Sequence, residues 1–350
     1  MWTYNKSYYY KKGAAILFGI FLSTAVSSQV NKTPQPPHID RHIQSFLDAS
    51  KGKAVKPMEK MTAAEAQMVL SGVQSSVKAD LSGVNVFEKT ITEDGGTVKL
   101  TIVKPGDSKG LLPAFLYFHG GGWMLGDFQT SQRLVRDLVV FSGVAAVFVN
   151  YALSPEAQYP VAINQAYSAT KWIAEHGSEV GIDGKRLAVA GNSSGGNMAT
   201  VVALMAKAKK GPELKLQVLM WPITDADFGT GSYRQFAANP ILTRNVMIWF
   251  WNNYLPDAKK RGGKYVSPLR AKTEELRGLP PALILTAEND VLRDEGEAYA
   301  RKLDEAGVDV IATRYNGMVH DWALLNPFSQ IPSAQSAIFQ AASELKKALQ

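Results

Sequence analysis

Ser193 lies in the run Gly191-Asn192-Ser193-Ser194-Gly195, a G-x-S-x-G pattern between the apolar segment Arg186–Ala190 and a helix-forming segment from Asn197 to Met205. A chain that passes at once from strand to helix leaves no room for side chains beside the turn, so glycines flank the one residue presented at its tip. A serine held there is a candidate nucleophile, but its hydroxyl is weak at neutral pH until a base within hydrogen-bond reach takes the proton. Downstream, Asp290 follows the apolar segment 282–286, and His320 follows the segment 308–315. Nucleophile, acid and base at the ends of three predicted strands are the groups that acyl transfer needs.

Of the five histidines, His38 and His42 fall in the entry segment, His176 ends a predicted surface helix and His119 opens a glycine turn. His320 is therefore assigned as the base, with Asp290 accepting its other N–H and fixing the tautomer. Asp294, four residues beyond Asp290, competes for the acid role; with Arg293 and Glu295 it is assigned to the electrostatics of a helix start. His119-Gly120-Gly121-Gly122-Trp123 follows the apolar strand 114–118. Successive glycines let bare backbone N–H groups face a substrate oxygen, so Gly121, Gly122 and Ser194 are the expected oxyanion donors, and His119 is expected to brace the loop.

Together with Tyr151-Ala152-Leu153-Ser154-Pro155-Glu156, Asp290–Gly296 and Gly317-Met318-Val319-His320, these motifs resemble the hormone-sensitive-lipase-like esterases, from about Val86 to the C-terminus. The resemblance implies an α/β-hydrolase fold, a Ser193–His320–Asp290 triad and ester hydrolysis. Some positions depart from the family pattern. Ala152 stands where arginine is common, Asn192 where aspartate is common, Val291 where proline is frequent, and Asp321-Trp322 follows the base where a small residue is usual. The first two lose opposite charges, and side chains facing each other below the nucleophile would leave no unpaired buried charge.

The elements that must position these groups alternate strand and helix, as in a mostly parallel sheet covered on both faces. About eight strands are expected: a hairpin at 86–92 and 97–103, then 113–118, 144–150, 186–190, 216–221, 282–287 and 308–315. Helices are expected over 129–141, 157–176, 196–208, 292–306 and 333–349. The interval 225–264 makes no strand and carries Tyr233, Phe236, Trp249, Phe250, Trp251 and Tyr254, which predicts a cap insertion. Residues 28–80 read as a linker followed by two helices, which the resemblance implies lie over the active site as part of a cap; plain packing is the other reading. Ile43, Phe46 and Leu47 share a helical face, and Thr62-Ala63-Ala64-Glu65 is a capping box.

The N-terminus carries Lys6, Lys11 and Lys12 before an apolar run over 13–26 that ends in small residues, the layout of a secretory signal peptide at 1–27. That run is short against the roughly 20 apolar residues of a membrane span. Export to a periplasm or exterior follows, with no stable span after leader cleavage. Zero cysteines exclude disulfides, thiolate metal sites and a lipoprotein anchor. Removing the three leader lysines takes the net charge from +7 to +4, too weak and dispersed for nucleic-acid binding. Lys207, Lys209, Lys210, Lys259, Lys260 and Arg261 read as solvated helix ends and loops. No H-E-x-x-H pair, carboxylate cluster or phosphate-binding glycine loop calls for a metal or cofactor. The expected partner is a small-molecule ester with a short, acetyl-type acyl group; nothing in the residues excludes a homodimer. An amidase or peptidase with the same triad, and a non-catalytic binding protein on this fold, are the alternative readings.

Overall fold

A computed structural model describes residues 38–49, 51 and 56–350. The signal peptide expected at 1–27 and the linker up to residue 37 lie outside them. In chain order come helices α1 (Arg41–Ala49) and α2 (Ala63–Ser75), the hairpin β1 (Val84–Glu93) and β2 (Gly96–Pro105), then β3 (Leu112–Phe118), α3 (Phe128–Ser142), β4 (Ala145–Asn150), α4 (Val161–His176), β5 (Ile182–Asn192), α5 (Ser194–Ala208) and β6 (Leu214–Met220). After β6 the chain makes α6 (Gly231–Gln235), α7 (Arg244–Tyr254) and α8 (Thr273–Leu276). It returns to the sheet with β7 (Ala282–Asn289), α9 (Arg293–Glu305), β8 (Val310–Val319) and α10 (Pro332–Leu349).

The eight strands form one sheet in the order β1-β2-β4-β3-β5-β6-β7-β8. β2 runs antiparallel to β1 and β4, and every later pairing is parallel. Strands covered on both faces read as near-continuous apolar runs. In β3 the alternation sends Ala114, Leu116 and Phe118 into one core layer and Phe115 and Tyr117 into the other; Leu187 and Val189 of β5 part from Ala188 and Ala190 in the same way. Helices α4, α5 and α9 cover the first face, and α3 and α10 the second. Met198 to Ala206 of α5 are all buried, which is why that helix is apolar on every side.

Several boundaries differ from expectation, β5 among them, which runs over Ile182–Asn192 against the expected 186–190; two others have a local cause. α4 begins at Val161, after Pro160, because a residue preceding proline is disfavoured in helical conformation. β8 continues past Tyr315 to Val319, through Gly317 at φ +74° and a register irregularity against β7. The extension sets His320 directly at a strand end. Arg261 is buried, unlike the solvated group expected: it donates to the carbonyls of Leu255 at 2.9 Å and Pro256 at 3.4 Å and to Asn252 at 2.8 Å, closing the chain that leaves α7.

The N-terminal helices are fastened to the rest by side chains. The capping box of α2 is present, with Glu65 N–H donating to Thr62 Oγ1 at 3.2 Å and Thr62 N–H to Glu65 Oε2 at 2.7 Å. From α2, Gln67 accepts from Gly126 N–H at 2.7 Å, and Gln74 accepts from Asn326 N–H at 2.8 Å. Ile43 is fully buried, and the Phe46 ring meets Phe328 edge-on at 5.1 Å. Among the described residues no helix is long and apolar enough to cross a membrane.

Candidate active site

Ser193 occupies the single residue between β5 and α5, at φ 53° and ψ −118°. A non-glycine residue in that region is strained, and surrounding structure must hold it there. Close approach explains its neighbours: a Cβ on Gly195 would overlap the carbonyl of Phe118, and one on Gly191 would overlap the carbonyl of Gly195. Glycine is needed at both because the end of β3 and the first turn of α5 press on the elbow.

The structure brings the three predicted side chains together. His320 Nε2 is 3.1 Å from Ser193 Oγ, and Asp290 Oδ2 accepts from His320 Nδ1 at 2.7 Å. The remaining oxygen of Asp290 accepts from Leu292 N–H at 3.0 Å. All three residues are buried. With Nδ1 protonated toward Asp290, Nε2 is left as the acceptor for the serine proton. Burial pushes the His320 imidazole toward the neutral form, but the carboxylates of Asp290 and Asp321 outweigh it, and the imidazole is held above its ordinary pKa.

The glycine loop after β3 lies against this elbow, joined to it by Trp123 N–H donating to Ser194 Oγ at 3.2 Å. No protein group among the described residues accepts from the N–H of Gly121 or Gly122. Ser194 N–H sits in the first turn of α5, where no helix carbonyl precedes it. His119 braces the loop: its ring stacks on Tyr151 at 4.2 Å and on Phe148 at 5.4 Å, and its Nδ1 meets the Gly120 carbonyl at 2.8 Å. Burial takes its pKa down to about 4, so at neutral pH it carries no charge.

Asp294 and Glu295 stand apart from the histidine. Asp294 Oδ2 accepts from Ser232 N–H at 2.7 Å, tying α9 to the start of α6. Glu295 corrects the expectation of a charged helix start. It is buried, accepts from Thr224 N–H at 2.7 Å and Asp225 N–H at 3.2 Å, and burial drives its carboxyl well above the ordinary range. It fixes the segment that leaves β6.

Asn192 and Ala152 are held by different partners. Asn192 Oδ1 accepts from Tyr117 Oη at 2.8 Å and Gly120 N–H at 2.9 Å, and its Nδ2 donates to Asp321 Oδ1 at 3.1 Å; Ala152 N–H donates to Gln165. Helix α7 supplies another unforeseen contact. Phe250 lies on Gly122, while the Trp123 ring stacks on Tyr254 at 4.0 Å and meets Trp251 at 4.8 Å. The aromatic run at 249–254 was visible in the sequence, but its partner was not. A groove of about 600 Å³ bordered by Glu93, Asp94, Ser168 and Lys171 shares no residue with this site. Among the described residues, no group of three or more histidine, cysteine or acidic side chains is arranged to hold a metal ion.

Comparison with known proteins agrees with the geometry. Residues 115–324 match a family described as having the alpha/beta hydrolase fold. The chain is similar to a thermostable esterase from Pseudomonas putida ECU1011, with 60% identity, a TM-score of 0.89, and coverage of 90% of this chain and 98% of that one. It is 37% identical to the carboxylesterase NlhH of Mycobacterium tuberculosis over 77% of this chain and 84% of the relative. It is 33% identical to an ethyl acetate hydrolase of Pseudomonas putida over 82% and 91% of the two chains. With the sheet order, the strained elbow and these matches in place, the chain belongs to the hormone-sensitive-lipase-like esterase family of α/β-hydrolases.

Proposed function

We propose that this carboxylic ester hydrolase acts on short-chain, acetyl-type esters through a Ser193–His320–Asp290 triad and a covalent acyl-enzyme. The observation that carries the reading is the buried hydrogen-bond chain from Asp290 through His320 to Ser193, with steps of 2.7 and 3.1 Å. Ser193 Oγ attacks the ester carbonyl while His320 Nε2 takes its proton, and Asp290 stabilises the imidazolium. The carbonyl oxygen, now negative, is received by the N–H groups of Gly121, Gly122 and Ser194. His320 returns the proton to the departing alcohol. Water activated by the same histidine then releases the acid and restores Ser193.

Support for a short acyl group comes from the segments above the elbow. Phe250 rests on Gly122, Trp249 leans on Phe250 at 5.2 Å, and Met58 and Met61 pack against the core to which α7 belongs. We read α1, α2 and the 225–264 insertion as a cap that encloses the acyl site. The ethyl acetate hydrolase among the relatives fits that reading. Export is part of the proposal and rests on the charge and hydropathy layout of residues 1–27. Hydrolysis of nitrophenyl esters from acetate to palmitate, beside matched anilides, tests the substrate class. Highest kcat/KM on acetate or butyrate supports it; highest kcat/KM on palmitate, or on the anilide, contradicts it.

A further inference from the structure

The carboxylate that resembling esterases carry beside the nucleophile is absent at Asn192, and a carboxylate stands instead at Asp321, immediately after the base. The two side chains touch. Asp321 Oδ1 accepts from Asn192 Nδ2 at 3.1 Å and from Trp221 Nε1 at 2.7 Å. Both bonds fall on one oxygen; the other, Oδ2, lies 3.9 Å from His320 Nε2, whereas Asp290 Oδ2 lies 2.7 Å from Nδ1. Nε2 is the atom that carries the proton between serine and leaving group. The placement is held against backbone preference, since Asp321 adopts φ 58° and Trp221 φ 37°. Left-handed conformations at non-glycine residues persist where surrounding contacts over-determine them, and they gather at functional sites.

We propose that Asp321 is a second positioning carboxylate for His320, clamped by Asn192 and Trp221 so that its free oxygen stabilises the imidazolium from the Nε2 side during proton transfer. The proposal rests on His320 being the base. While Ser193 holds its proton, Nε2 is unprotonated and Asp321 gains little from it; once Nε2 is protonated, an anion faces it at 3.9 Å. The attraction therefore grows along the reaction, which is the condition for lowering a barrier. Other ionisable groups are accounted for. Asp290 faces His320 from the β7–α9 turn, Tyr117 of β3 and through it Arg133 of α3 face Asp321, and Tyr233 and Glu295 face Asp290. None of these besides Asp290 acts on His320 as Asp321 does.

Asp321→Asn is a clean probe, because an amide oxygen can still accept from both Asn192 and Trp221 while the charge is lost. Measured on a neutral ester with a neutral leaving group, its kcat should fall roughly five- to tenfold with KM little changed. The acid limb of its kcat/KM profile should move to lower pH, since the imidazolium loses a stabilising neighbour. Asn192→Asp sets a second carboxylate against Asp321 Oδ1, so its melting temperature should drop, and adding Asp321→Asn should restore most of the loss. An acid limb that stays in place in a folded Asp321→Asn protein overturns the proposal, as does strict additivity of the two melting-temperature changes. Failure of the underlying reading looks different: His320→Ala would then keep wild-type turnover whatever residue occupies position 321.

Discussion

Phe250 packs on the α-carbon of Gly122 so closely that a methyl group there would overlap its ring at Cγ and both Cδ positions. Gly122 also has φ +62°, a conformation that a side chain disfavours. Gly122→Ala should therefore displace the glycine loop, lowering kcat by about 10²–10³, the cost of losing one oxyanion donor. Steady-state kinetics beside a melting curve check this. Wild-type kcat in Gly122→Ala would mean that the loop does not hold the oxyanion.

The same contact bears on acyl length. A preference for roughly two to six carbons is expected, each added methylene gaining at most about 0.8 kcal/mol until the cap is met and overpacking begins. Phe250→Ala should move the optimum to longer chains by opening space above Gly122. A nitrophenyl ester series on both proteins reads it out, and an unchanged optimum would place the limit elsewhere.

For the acid, Asp290→Asn should reduce kcat by about 10⁴, since an amide favours the wrong histidine tautomer. Asp294→Asn should be mild, because an amide oxygen at that position can still accept from Ser232 N–H. Turnover of the two variants separates the assignments. Greater damage from Asp294→Asn would contradict them.

These expectations show which parts of the molecule a sequence discloses. The elbow, the order of Ser193, Asp290 and His320, and the strands beneath them were legible because each is set locally, by glycine at a crowded turn or by unbroken apolar runs in a two-faced sheet. The contacts made between distant segments were not. Gln67 on Gly126, Phe250 on Gly122 and Asn192 on Asp321 join residues far apart in the chain, and no local pattern announces them. Glu295 misled for the same reason: at the start of a helix it reads as a surface charge, and only the incoming Thr224 and Asp225 N–H groups reveal a buried carboxyl. At position 192, where the family pattern carries aspartate, Asn192 instead donates to the carboxylate of Asp321.

Activity should depend on pH through His320. Its pKa is raised in the fold, with Asp290 and Asp321 prevailing over burial. The imidazolium cannot take the serine proton, so kcat/KM should fall as pH drops through the folded-state pKa. Stability has the opposite sign. A raised histidine pKa contributes stability that is fully present below the unfolded-state value and lost as pH rises through the folded one. The melting-temperature advantage of wild type over His320→Gln should therefore shrink with rising pH, and a growing advantage would refute the sign.

Ser193 and His320 should act as a unit, so replacing either should lower turnover by on the order of 10⁶ and replacing both should cost little more. Covalent labelling tests this at the reacting atom. After exposure to a fluorophosphonate, peptide mapping should find one modified residue, Ser193, with labelling abolished in Ser193→Ala and strongly slowed in His320→Ala. Modification of another serine at the wild-type rate in Ser193→Ala would contradict the assignment of the nucleophile.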